Sequence, residues 1–263
     1  MDLKLNGKVA LVTGASRGLG FAAASTLAHE GCRVAVNGRD EAKIKAAAEK
    51  VHRETGTQVL GLAGDVSLPD MPEKLIQQTI AAFGGLDLLM TNAGGPPAGT
   101  FESFDEETWQ KAVELSFMSH VRLIRAALPY LRKSETPSVL TVTSMSVKQP
   151  IANLVLSNSI RAATVGLTKS LAIELGREGI RFNSILPGWT ETERVGELMT
   201  ARAKASGSTV EEEIRKQSAE SPLGRMGQPQ EFGNAAAFLL SPAASYITGV
   251  MLNVDGGMYK GTL

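Results

Sequence analysis

The chain has 263 residues, 43% of them hydrophobic and 27 of them glycine, enough apolar material to bury a core, which excludes disorder as its overall state. Its 27 Lys and Arg balance 27 Asp and Glu, which excludes a global basic field for nucleic acid or a membrane surface. The single cysteine, Cys32, excludes an intramolecular disulfide and reads as a small core residue, and no cluster of residues has metal-ligand spacing.

The amino-terminal stretch "MDLKLNGKVALVTG" carries too short an apolar run for a signal peptide. No run of about 20 apolar residues follows, so the expectation is a cytoplasmic protein with no membrane partner. Short apolar runs at 8–13, 32–38, 58–65, 86–94, 138–144, 180–188 and 249–257 read as strands. Between them, amphipathic patterns such as 20–31, 40–55 and 71–85 read as helices that close near glycine or a turn residue. Strict alternation of this kind predicts an α/β, doubly wound sheet of parallel strands with both faces covered. No low-complexity linker or solenoid repeat divides the chain, so one domain over 1–263 is expected.

The polar segment 190–227 breaks the rhythm. It reads either as a solvated helix pair or, because it follows the carboxyl end of a strand, as a helical lid over a substrate at about 190–225.

Between the first strand and first helix stands "TGASRGLG", Thr13 to Gly20, with Gly14, Gly18 and Gly20 around Ser16, Arg17 and Leu19. A glycine loop there lets backbone approach phosphate oxygens while the helix amino terminus offers free N–H groups, so this turn is expected to bind a dinucleotide. Where an NAD-specific protein carries an acid at the end of the second strand, Gly38 and Arg39 stand instead. A guanidinium pairs with a 2′-phosphate, and Arg17 is a second cation for it, so NADP(H) is expected over NAD(H); the alternative is that both arginines face solvent.

With "NAG" at Asn92–Gly94, "PGWTET" from Pro187 and the tail "SPLGRMGQPQEFGNAAAFLLSPAASYITGVMLNVDGG", the sequence resembles the short-chain dehydrogenase/reductase family over nearly its whole length. Its tail is similar to the bacterial 3-oxoacyl-acyl-carrier-protein reductase branch. The resemblance implies a seven-stranded parallel sheet in one Rossmann-type domain, a small-molecule substrate and a homotetramer. It assigns Asp65 and Val66 to the adenine pocket and Asn92, Ala93 and Gly94 to the ribose wall. Pro187, Gly188 and Thr190 fall at the nicotinamide, and Thr192 near the pyrophosphate or carboxamide.

In that family a tyrosine protonates the substrate oxygen, and a lysine one helical turn later lowers the phenol's pKa and holds the nicotinamide ribose. A serine on the preceding strand binds the oxygen and an asparagine anchors a relay water. Aligned on "SVLTVTSMS" and "RAATVGLTKSLAIELG", Ser144 keeps the serine position, while Ser157 falls on the tyrosine, Arg161 on the lysine and Ser116 on the asparagine. A serine hydroxyl is a far poorer acid than a phenol, and arginine does not deprotonate, so it cannot relay protons. Arg161 can still donate to ribose hydroxyls or to an enolate.

Of other groups, Tyr130, Tyr246 and Tyr259 lie far from this helix in sequence, and Lys148 reads as an exposed loop lysine before it reads as a substitute acid. His29, His52 and His120 read as structural or solvated. The sequence therefore supports an NADP(H)-dependent oxidoreductase with an atypical active site, acting on a carbonyl or conjugated enoyl substrate. The alternative is a catalytically silent nucleotide-binding relative that serves as a sensor or assembly partner.

Overall fold

The structure, a computed structural model, describes residues 1–262. Seven strands form one sheet: β1 (Val9–Val12), β2 (Arg33–Gly38), β3 (Val59–Ala63), β4 (Leu88–Thr91), β5 (Ser138–Val142), β6 (Arg181–Pro187) and β7 (Met251–Val254). Their order is β3-β2-β1-β4-β5-β6-β7 and every pairing is parallel. Helices α1 (Gly18–His29), α2 (Glu41–Thr55), α3 (Met71–Phe83), α4 (Glu106–Val113), α5 (Ser119–Leu131), α6 (Val155–Leu175), α7 (Glu193–Ser206), α8 (Val210–Ala219) and α9 (Pro229–Leu240) supply the covering layers. The expected doubly wound α/β class is the one observed.

The sheet sits between two cores. On one face Leu27 of α1, Ile44 of α2 and Phe232 of α9 pack with Val12, Val34 and Ile185. On the other, Leu75 of α3, Leu123 of α5 and Leu175 of α6 pack with Leu11, Leu89 and Phe182. Strand residues alternate between these two clusters, so β1 is buried along its whole length, as a central parallel strand must be.

Arg181 fastens the far side: its guanidinium donates to the carbonyls of Leu239, Leu240 and Ser241 at the carboxyl end of α9, at 2.7–2.9 Å. The positive charge meets the negative end of that helix, and burial pushes its pKa down to about 10.

Two features position the site. The strand order reverses at β1 and β4, whose carboxyl ends diverge and leave a crevice. Between α4 and α5 the helix widens into one π-helical turn, Glu114–Met118, whose carbonyls are taken by side chains: Ser119 Oγ donates to Leu115 O at 2.5 Å and Thr164 Oγ1 of α6 to Ser116 O at 2.8 Å. The segment after β6 forms the helix pair α7 and α8, capped by Thr192 and by a Thr209–Glu212 capping box.

Candidate active site

A cleft of about 510 Å³ opens at the carboxyl ends of the strands. Its nucleotide half is set by the turn after β1. Gly14 and Gly18 take φ of +58° and +59°, and a Cβ on Gly14 would stand 2.8 Å from both Asn92 Nδ2 and Asn92 O. Asn92 is locked to this turn, donating through Nδ2 to Gly14 O at 3.1 Å and accepting at its carbonyl from Thr13 Oγ1 at 2.7 Å.

The amino terminus of α1 carries no side-chain cap and no acidic residue in its first turn, so its N–H groups stay open to an anion. A close backbone cradle beside an uncapped helix amino terminus fits a dinucleotide pyrophosphate.

At the end of β2, Asn37 is buried and spent on the carbonyls of Leu62 and Gly64. Asp40, the first acid beyond the strand, caps α2 by accepting from Lys43 N at 3.0 Å, which holds its carboxyl below the usual range. Arg39 lines the cleft, exposed and without an ion pair among the described residues. Arg17 lines it too, but its guanidinium meets Glu197 of α7 at 3.2 Å. Asp65 accepts from Ser67 N and Oγ, and Val66, Ala93, Gly94, Pro187, Gly188, Thr190 and Thr192 join the lining.

In the other half, β5 delivers Ser144 and α6 delivers Ser157 and Arg161, which share one helix face at i, i+4 spacing. Ser144 Oγ accepts from Ser146 N at 3.1 Å, which leaves its own proton free to donate into the cleft. Ser157 makes no side-chain hydrogen bond among the described residues.

Arg161 is drawn deep. Its Nη1 donates to the carbonyls of Thr143 at 2.8 Å and Val142 at 3.3 Å, and desolvation pushes its pKa down to about 10, so it stays cationic at neutral pH. No carboxylate faces it within ion-pair distance among the described residues, and its Nη2 lies on the Gly95 side of the cleft. No tyrosine, lysine, histidine or cysteine lines the cleft among those residues.

Two residues expected at the site do not open onto the cleft. Gly20 packs under the turn, where a Cβ would collide with the Gly14 carbonyl and lie 2.9 Å from Asn92 Nδ2; its part is close packing. Ser116, within the π turn, is 2% exposed, its Oγ has no partner among the described residues, and its neighbour Leu115 lines the cleft. Lys148 points the other way, donating to Met251 O at 3.1 Å beneath the Tyr259 ring.

Of the two readings for His120, structural or solvated, the structure shows the first. It is buried, bonded through Nδ1 to Thr91 Oγ1 at 2.6 Å, and held down to about 3 by burial and by the charge of Arg161. Its partner Thr91 immediately precedes Asn92, so the ring is tied to the end of β4 that carries Asn92 into the cleft. Only the fold brings α5 and β4 together, and no local motif announces it.

Glycine turn, uncapped helix, switch-point crevice and a row of donors on α6 define a dinucleotide-binding protein of the doubly wound class. The family profile described as Enoyl-(Acyl carrier protein) reductase matches residues 14–259. The chain is 34% identical over 257 residues to a 3-oxoacyl-[acyl-carrier-protein] reductase FabG of Vibrio cholerae, covering 98% of this chain and 99% of that one. It is also 34% identical over 254 residues to the D-beta-hydroxybutyrate dehydrogenase of Cupriavidus necator, covering 96% and 98%. The L-sorbose reductase of Gluconobacter frateurii, solved with NADPH and L-sorbose, superposes with a TM-score of 0.95 at 32% identity over 99% of this chain and all of the other. The chain belongs to the short-chain dehydrogenase/reductase family.

Proposed function

We propose that the chain is an NADP(H)-dependent reductase whose active site stabilises an oxyanion with fixed donors instead of protonating it with a phenol, acting on a carbonyl or conjugated enoyl substrate. The observation that carries this is the single cleft shared by the glycine cradle and by Ser144, Ser157 and Arg161. Similarity to an NADPH-bound reductase and to acyl-carrier-protein reductases supports the reaction class.

The nucleotide would be held by the turn Gly14–Gly20, by Asp65 and Val66 at the adenine, by Asn92–Gly94 at the ribose and by Pro187–Thr190 at the nicotinamide. Arg39 would meet the 2′-phosphate, since the one acid nearby, Asp40, is occupied as a helix cap. When bound, NADPH supplies the hydride. Ser144 donates a hydrogen bond, not its proton, to the substrate oxygen, and the uncompensated guanidinium of Arg161, desolvated by burial, stabilises the negative charge that develops there. Ser157, at the family's tyrosine position, adds a short donor, and with no tyrosine, lysine or histidine in the lining among the described residues the final proton comes from water.

The same family likeness supports a cytoplasmic homotetramer. Ile173 of α6 stands 74% exposed, as a covered face would in a lone chain, and light scattering in solution tests the assembly.

Titration of the purified protein with NADPH and NADH comes first. Expected is NADPH binding at least ~10-fold tighter than NADH, a gap of about 1.4 kcal/mol, and lost in Arg39→Asp. Ketones and enones with NADPH should then turn over, with a loss of about 10²–10³ in kcat for Ser144→Ala. The absence of a tyrosine, lysine, histidine or cysteine from the lining, among the described residues, favours one second reading, a silent nucleotide sensor, which predicts tight NADPH binding with no turnover of any carbonyl.

A further inference from the structure

The cleft beyond the nucleotide residues is walled by Leu115, Met145, Ile151, Leu154, Trp189 and Leu198. Apart from charged residues at the lid, the polar side chains beside them are Thr143, which is 2% exposed, and Ser144, Ser157 and Arg161, enough to receive one oxygen. The charged residues Glu193, Arg194 and Glu197 stand exposed at the lid, and Glu197 pairs with Arg17 and Arg194. A polyhydroxylated substrate would bury hydroxyls against these walls without partners, a cost that a hydrocarbon does not meet.

Both walls are built to keep their shape. Asn158 clasps Ile151 from α6, accepting from its N–H at 3.3 Å and donating to its carbonyl at 2.9 Å, and Leu154 is bridged to Gly99. Trp189 is pinned on its backbone by Gly227 N at 2.9 Å. The guanidinium of Arg202 lies 4.9 Å over its ring, and Arg202 is itself held by Gln217 of α8 at 2.5 Å. This cation–π brace fixes the indole plane and ties it to both lid helices, leaving the rest of the ring to the cleft.

We infer that Trp189 is the specificity-determining wall of the site, and that the substrate is a carbonyl compound flanked by hydrocarbon, alkyl or aryl, which packs on the indole as its oxygen meets Ser144 and Arg161. The inference rests on the reductase reading above for its reaction, but not for its binding. It also sets this chain apart from its structural neighbour crystallised with a sugar.

The test is a ligand-observed saturation-transfer titration with acetophenone, 2-heptanone and fructose, which needs no turnover. Both hydrocarbon ketones should bind at least ~10-fold tighter than fructose, about 1.4 kcal/mol. Trp189→Ala should remove that preference and Trp189→Phe should restore most of it. Arg202→Met lies outside the cleft lining and should weaken ketone binding several-fold while NADPH affinity holds. Fructose binding as well as the ketones, or ketone affinity indifferent to Trp189→Ala and Arg202→Met alike, overturns the inference. A protein that selects the ketones yet ignores NADPH overturns the reductase reading alone.

Discussion

The two halves of the cleft meet their ligands by opposite means. The nucleotide half works by absence: glycines where a Cβ would strike Asn92, a helix start left uncapped and an acid withdrawn into a helix cap. The other half works by presence, gathering the side-chain donors of Ser144, Ser157 and Arg161 on one wall of the cleft. Backbone carries the first half, so its requirements are geometric and any reaction can use it. Side chains carry the second, so it changes chemistry without changing the fold.

Two buried arginines sharpen the contrast. Arg181 is saturated by carbonyls at the end of α9 and serves the scaffold. Arg161 is fixed through Nη1 alone, so its remaining donors are available to a ligand. Replacing Arg161 therefore separates function from stability. Arg161→Met removes a desolvated charge with no counterion, a change that is neutral or stabilising in packed interiors, yet kcat should fall about 10²–10³-fold through loss of an oxyanion donor. Paired thermal melts and single-turnover rates check it; a melting temperature that falls together with the rate would make Arg161 a structural arginine like Arg181.

On the nucleotide side, Gly20→Ala forces a methyl against the Gly14 carbonyl and Asn92. Stability should drop by about 1–3 kcal/mol in urea unfolding, with NADPH affinity lowered in parallel because the cradle itself is displaced.

The same contrast explains what could be read from the sequence. "TGASRGLG" and "NAG" are legible because backbone geometry admits few residues at such turns, so the letters carry the shape. Ser144, Ser157 and Arg161 were placed by alignment and spacing, and the cleft does gather them. Ser116, also placed by alignment, lies within a π-helical turn with its side chain off the cleft lining, and hydrophobic periodicity at 3.6 residues does not register one wide turn. His120 could be read only as structural or solvated because its partner lies 29 residues away on β4, and tertiary packing alone brings the two together. The apolar walls have no code at all: Ile151 and Leu154 meet Trp189 only after two separate loops have folded.

His120 carries a smaller, pH-dependent effect. Its folded pKa is depressed to about 3 against an unfolded value near 6.5, so the unfolded state binds the extra proton between those limits. Its contribution is therefore full above about pH 6.5 and is lost as pH falls toward 3. At pH 5 the protein should be less stable than at pH 7.5 by about 2 kcal/mol from this group. In His120→Met that part of the slope should vanish, whatever the variant's absolute stability. Urea melts at both pH values decide it, and a slope unchanged by the substitution would mean the ring is protonated in place.

The smallest effect expected lies where the halves touch. Arg17 of the nucleotide turn is held by Glu197 of α7, although an anionic cofactor would draw on the same guanidinium. Both side chains are about half exposed, so the pair is screened and contributes little to folding. Its effect is on competition: Glu197→Gln should raise NADPH affinity two- to fivefold, less than about 1 kcal/mol, and the gain should shrink at high salt. NADH, without a 2′-phosphate, should gain less. Equal gains for both nucleotides would place Arg17 on the pyrophosphate they share, and no gain for either would reduce the Arg17–Glu197 contact to a surface pair with no bearing on how the two halves communicate.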